Sequence, residues 1–149
     1  MKPYPPLCQN QAILTETEIV LDGRVSELRR ISAEVAKFCR EHSLSEDVEF
    51  DLNLVLEELF MNSVNHGGCE GMENAAQVRL QLLSGEIVAE YADRGRAFDP
   101  FSAPEPDVDA PLNERPAGGL GVHLVRQTMR DWNYRRDGEW NRTTMRRNL

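Results

Sequence analysis

The segment from Glu46 to Asn65 constrains the fold of this chain more than any other. Ser45 is placed to cap a helix there, with Val48 three residues on and acidic residues in the first turn, where carboxylates meet the positive helix end. The run stops at His66-Gly67-Gly68. Leu52, Val55, Leu56, Leu59 and Ser63 fall on one stripe, so the sequence predicts a long helix over 46–65 with one face buried. A helix turns about 100° per residue, which puts residues four apart within about 40° of each other. Glu58 and Asn62 therefore share a side, Asn65 returns to it, and Glu57 points elsewhere.

A carboxylate and a carboxamide thus line up one turn apart beside the buried stripe. Mg2+ bound together with phosphate takes one or two protein oxygens and keeps its water, and the Asn62 carbonyl oxygen can be one of them. Glu58 can take a proton from an attacking hydroxyl. On spacing alone the pair also reads as two solvated helix residues. His66 reads better as a cation at the helix C-terminus than as a catalyst.

The rest of the chain alternates between strand and helix patterns. Residues 1–10 are polar and proline-rich and read as a loose arm. Residues 11–21 read as a strand, or two short ones, closed by Asp22-Gly23. Ser26 is a candidate cap for a helix running to about His42, with Leu28, Ile31, Val35 and Phe38 on its apolar side. Gln77–Leu83 and Glu86–Asp93 read as strands joined at Ser84-Gly85, with Val78, Leu80 and Leu82 on a dry face. A helix is expected from near Gly119 to Asp131, burying Val122, Val125 and Met129. Trp132–Arg136 and Arg142–Arg147 fit a final hairpin turning at Asp137-Gly138. No repeat and no second domain is readable, so 1–149 is expected to be one α+β domain with helices on one face of a sheet.

Residues 94–117 break the pattern. Pro100, Pro104, Pro106, Pro111 and Pro116 fall among acids with little periodicity. A loop this long inside a compact domain is either disordered or functional, often as a lid.

Charge and cysteine usage exclude several functions. The formal net charge is −8, the opposite of the basic footprint of a nucleic-acid binder, though compatible with a basic protein partner. No apolar run approaches the roughly 18 residues of a membrane span, and the first residues show no signal peptide. Cys8, Cys39 and Cys69 are scattered without metal spacing and read as reduced thiols of a cytoplasmic protein.

Two glycine-containing boxes complete the set. Asp93-Arg94-Gly95-Arg96-Ala97-Phe98-Asp99-Pro100 follows a strand. A carboxylate at the strand end can accept a hydrogen bond from an amine such as that of adenine, and Gly95 would let a flat base lie close to the backbone. Alone, the box is a turn. Pro116-Ala117-Gly118-Gly119-Leu120-Gly121-Val122 precedes a helix, whose free N–H groups suit a phosphate, though the pattern alone is weak. The chain has only Lys2 and Lys37, neither after a glycine loop, so the Gly-x-x-x-x-Gly-Lys design is absent.

The order of these signals is more specific than any one of them. Glu58-x-x-x-Asn62-x-x-x-His66-Gly67, then Asp93-x-Gly95, then Gly119-x-Gly121 resembles the GHKL ATPase superfamily over roughly residues 10–149. The boxes around Asp93 and Arg115–Val125 look most like the anti-sigma-factor serine/threonine kinases. The resemblance implies a two-layer α/β sandwich of the Bergerat type, with a mixed, mainly antiparallel sheet and residues 94–117 as an ATP lid. It implies ATP and Mg2+ as ligands, with Glu58 as general base and Asn62 holding the metal. Asp93 would receive the adenine amine and Gly95 would lie against the ring. Phe98, Gly118, Gly119, Leu120 and Gly121 would complete the nucleotide contacts, with Arg115 as a cation for the γ-phosphate.

By the same resemblance the partners are a sigma factor and a STAS-type antagonist with a phosphorylatable serine, bound by a homodimer. Neither nucleic acid nor membrane is implied. Two departures stand out. Ala97 occupies the second glycine position of the first box, and Arg142-Thr143-Thr144 stands where Gly-Thr-Thr is usual, leaving Thr143 or Thr144, with Thr144 preferred, to support Asp93. The implied function is an anti-sigma-factor kinase; the alternative is a kinase-inactive, nucleotide-binding sigma-factor clamp.

Overall fold

The computed structural model describes residues 11–101 and 126–149. Their elements are β1 (Thr15–Leu21), α1 (Leu28–Glu41), α2 (Glu46–Asn65), β2 (Ala76–Leu83), β3 (Glu86–Asp93), β4 (Arg130–Asp137) and β5 (Trp140–Asn148). The strands form one sheet in the order β1-β2-β3-β5-β4. Every pairing among the described residues is antiparallel, in keeping with the expected two-layer fold and its mainly antiparallel sheet.

Alternation along the strands decides which face is dry. Val78 lies opposite Tyr91, and Leu80 opposite Ala89; all four are buried. Met145 of β5 continues that row beyond Ala89. Onto this face pack Ile31, Val35 and Phe38 of α1 with Leu52, Val55, Leu56 and Leu59 of α2, forming one core. Burying aliphatic or aromatic side chains of this size stabilises by about 1.5–3 kcal/mol each. Both helices therefore sit on one side of the sheet, in two layers. The other side carries ion pairs, Arg142 with Glu90 at 3.1 Å and Arg146 with Glu86.

Helix α2 matches its sequence signals closely. The Ser45 hydroxyl accepts the Val48 N–H at 3.3 Å, and the chain leaves the helix at His66. The start of α1 differs from expectation. Ser26 lies within a short 3-10 turn, Val25–Glu27, and Glu27 occupies the cap position instead. The Glu27 carboxylate is engaged by the Asp22 N–H at 3.1 Å and by Arg30 at 2.8 Å, which draws the helix start past Ser26. Gly23 is required at the preceding turn, because a Cβ there would lie 1.7 Å from the Cys69 carbonyl oxygen.

The helix expected to reach Asp131 ends sooner. Residues 126–128 are helical, and Arg130 already pairs with Arg146 in the sheet. A register shift between Arg130 and Asn133, with Asp131 at φ 51, absorbs the change of direction. No helix among the described residues is long and apolar enough to cross a membrane.

Candidate functional site

The second half of α2 presents the predicted pair. Glu58 and Asn62 are half-buried, flanked by the buried Leu59 and Ser63. Removal from water pushes the Glu58 carboxyl above its ordinary value, while hydrogen bonding from the Asn62 side chain and the nearby His66 draw it back down. Its Oε1 is buried and has no hydrogen-bond partner among the described residues. Glu57 is used differently: its Oε1 accepts the Ser32 hydroxyl of α1 at 3.1 Å. Adjacent glutamates thus divide into one that ties two helices and one left with an unsatisfied oxygen.

The helix is sewn to the end of β3 by three contacts. The Ser63 and Tyr91 hydroxyls lie 2.7 Å apart, and Ser63 also donates to the Leu59 carbonyl at 3.0 Å. Beyond the helix, the Gly67 carbonyl accepts the Arg96 N–H at 3.0 Å. The Arg96 guanidinium also donates to the His66 carbonyl. These contacts carry Asn62 and Asp93 on one rigid unit.

Asp93 ends β3 and turns the chain back on itself. Its Oδ1 accepts the Gly95 N–H at 2.8 Å and the Asn141 side-chain N–H at 3.0 Å. Its Oδ2 has no hydrogen bond among the described residues. Gly95 is held by proximity: a Cβ there would meet the Gly67 carbonyl oxygen at 2.7 Å and Asp93 Oδ1 at 2.8 Å. Arg136 of β4 donates to the Gly95 carbonyl at 2.7 Å, and Asn141 donates to that of Arg96 at 2.8 Å. Phe98 is 55% exposed, and its backbone N–H reaches Asn141 Oδ1 at 3.3 Å.

One predicted supporter of Asp93 is corrected by register. Thr144 pairs with Glu90, one step out of phase with Asp93, and so lies on the opposite sheet face. Asp93 pairs with Asn141, and Thr143 with Tyr91, on the face that α2 covers. Asn141 is the partner of Asp93 that the sequence did not reveal. Its only signal is a position three residues before Thr144, interpretable once the β3–β5 pairing is known. Arg115, Gly118, Gly119, Leu120 and Gly121 lie outside the described residues, as do Cys8 and the arm, residues 102–117 of the expected lid, and residues 119–125 of the expected helix.

The donor set fits an adenine nucleotide with its cation. A strand-end carboxylate with one oxygen open suits an exocyclic amine. A buried, unsatisfied Glu58 oxygen beside Asn62 suits a polar group that enters from solution. No cluster of three His, Cys, Asp or Glu that could hold a metal occurs among the described residues. A cation at Asn62 would then draw most of its ligands from phosphate and water, as Mg2+ does.

Comparison with known proteins identifies the domain. Residues 21–147 match the histidine kinase-like ATPase domain. Over 98 residues the chain is 32% identical to the serine/threonine-protein kinase BtrW of Bordetella bronchiseptica, covering 66% of this chain and 69% of that protein. The solved RsbU and RsbW domains of Rv1364c from Mycobacterium tuberculosis superpose with a TM-score of 0.67 over 91% of this chain, at 16% identity. The chain spans 32% of that longer protein, and the likeness is one of fold. The match over 127 residues of sheet and helices, with Glu58, Asn62 and Asp93 inside it, places this chain in the histidine kinase-like (GHKL) ATPase family, alongside its serine/threonine kinase members.

Proposed function

We propose that this protein is an anti-sigma factor with ATP-dependent serine/threonine kinase activity. Its substrate in this reading is a STAS-type antagonist, its sequestered partner a sigma factor, its working form a homodimer, and its compartment the cytoplasm. The observation that carries the reading is the half-buried pair of Glu58 and Asn62 on α2, with the Glu58 carboxyl pushed above its ordinary value by burial.

ATP with Mg2+ supplies the phosphoryl group and the charge neutralisation on which such transfers depend. Asn62 offers its side-chain oxygen to the cation. Glu58 accepts the proton of the acceptor hydroxyl; burial raises its pKa, which makes it a better base than a solvated carboxylate. Asp93 Oδ2 takes the adenine amine, and Gly95 and Phe98 border the ring. Gly118, Gly119, Leu120, Gly121 and Arg115 are assigned to the triphosphate from sequence. The unsatisfied Glu58 oxygen favours this reading over a nucleotide-holding clamp, which has no use for a base there.

The test is transfer of radiolabelled phosphate from ATP to a STAS-type antagonist, beside sigma-factor binding. Labelling of a single serine or threonine by the wild type, lost in Glu58→Gln, is expected. Tight sigma-factor binding without transfer to any antagonist would select the clamp.

A further inference from the structure

The side chain of Asn141 meets five groups at once. Its Nδ2 donates to Asp93 Oδ1 at 3.0 Å, to the Arg96 carbonyl at 2.8 Å and, more loosely, to that of Gly95 at 3.4 Å. Its Oδ1 accepts from the Phe98 N–H at 3.3 Å and from the Tyr134 hydroxyl. All partners on one side are acceptors and all on the other are donors, so the orientation of the amide is fixed by chemistry. Asn141 is itself buried, at 4% exposure. A carboxylate there would face Asp93 with like charge, and a threonine hydroxyl could not serve both rows of partners.

The result at Asp93 is an asymmetric carboxylate. Oδ1 is occupied by two protein donors, Gly95 N–H and Asn141, while Oδ2 makes no hydrogen bond among the described residues. We propose that Asn141 is a positioning residue for base recognition: it holds Asp93 in the one rotamer that presents Oδ2 to the exocyclic amine of an adenine base. This rests on the proposed adenine role of Asp93. It assigns to β5 a specificity function carried by the strand's second residue.

The experiment compares ATP with purine riboside triphosphate, which lacks the exocyclic amine, by calorimetry. The proteins are wild type, Asn141→Ala, Asn141→Asp, Asp93→Asn and the Asp93→Asn/Asn141→Ala double variant, with folding followed by thermal melting. Wild type should prefer ATP. Asn141→Ala should lose about tenfold in ATP affinity, the scale of a hydrogen bond to a charged group, and much less for the purine analogue. In the Asp93→Asn background the second substitution should change ATP affinity little. Asn141→Asp keeps the size and the acceptor toward Phe98 and Tyr134, and should also lose the preference; it carries the test if the alanine variant does not fold. Equal loss for both nucleotides, or full additivity with Asp93→Asn, would reduce Asn141 to a structural residue and overturn the proposal. Asp93→Asn without effect on the preference would instead overturn the adenine reading itself.

Discussion

The hydroxyls of Ser63 and Tyr91 share a buried hydrogen bond of 2.7 Å between α2 and β3. Ser63 follows Asn62 and Tyr91 lies two residues before Asp93, so this bond sets the spacing between the two halves of the site. Tyr91→Phe leaves Ser63 its bond to the Leu59 carbonyl and removes only the cross-link. It should cost about 1 kcal/mol of stability, near the average for one internal hydrogen bond. Thermal melting checks this, and nucleotide affinity should fall in parallel rather than vanish.

Glu58→Gln should reduce phosphoryl transfer by about 10²–10⁴-fold, the usual scale for loss of a general base, with nucleotide affinity largely kept. It should also change stability in a pH-dependent way. The folded-state pKa of Glu58 is raised by burial, so ionisation opposes folding. Below the unfolded carboxylate pKa the wild type is protonated in both states and matches the glutamine variant. As pH rises from the unfolded value through the higher folded value the wild type loses stability, so the variant becomes the more stable protein. Denaturant melts from acid to neutral pH measure the gap; a gap that widened on acidification would contradict the desolvation assigned to Glu58.

Gly95→Ala should destabilise by about 1–3 kcal/mol, because its Cβ meets backbone that cannot rotate away. Also in its path are Asp93 Oδ1 and, at 3.3 Å, the Cys69 sulfur, so adenine-nucleotide affinity should fall with stability. Calorimetry and melting on the same preparation separate the two effects. An alanine variant with wild-type affinity would show that the turn yields without moving Asp93.

Thr144→Val should leave nucleotide affinity unchanged within twofold, because Thr144 shares a face with Glu90 rather than Asp93. Thr143→Val, on the Asp93 face, is the matched control. A loss of affinity confined to Thr144→Val would mean that the β3–β5 register is wrong by one residue.

Cys39 and Cys69 should resist alkylation in the native protein. Burial lifts both thiols to about 11, helped at Cys69 by the neighbouring Asp93 and at Cys39 by Glu49. At pH 8 only about one in a thousand would be thiolate. On a Cys8→Ser background, thiol titration should give near-zero labelling in buffer and two equivalents in denaturant.

The legible parts of this protein are those that depend on one element. Glu58 and Asn62 could be placed together because helix geometry alone brings them to one side, and Asp93 because it ends a strand with clear alternation. Ser45 capped its helix as read, whereas Ser26 did not, because Glu27 was drawn off by Asp22 and Arg30, contacts that local pattern does not contain. Asn141 was illegible for a stronger reason. Its role follows from which residue of β5 lies opposite Asp93, and a single-residue change in that register exchanges Asn141 and Thr143 for Arg142 and Thr144.

Strand order has a consequence for synthesis. β5 is late in the chain yet inserts beside β3, between β3 and β4. A nascent chain that has emerged only as far as Asp137 has β1 and the β2–β3 hairpin available but leaves the far edge of β3 open, with Ile87, Ala89 and Tyr91 on that strand. Such an edge invites pairing with other chains, and Asp93 on it lacks its Asn141 partner. A chain that lacks β5 therefore loses in one step both the cover on the β3 edge and the side chain that orients Asp93.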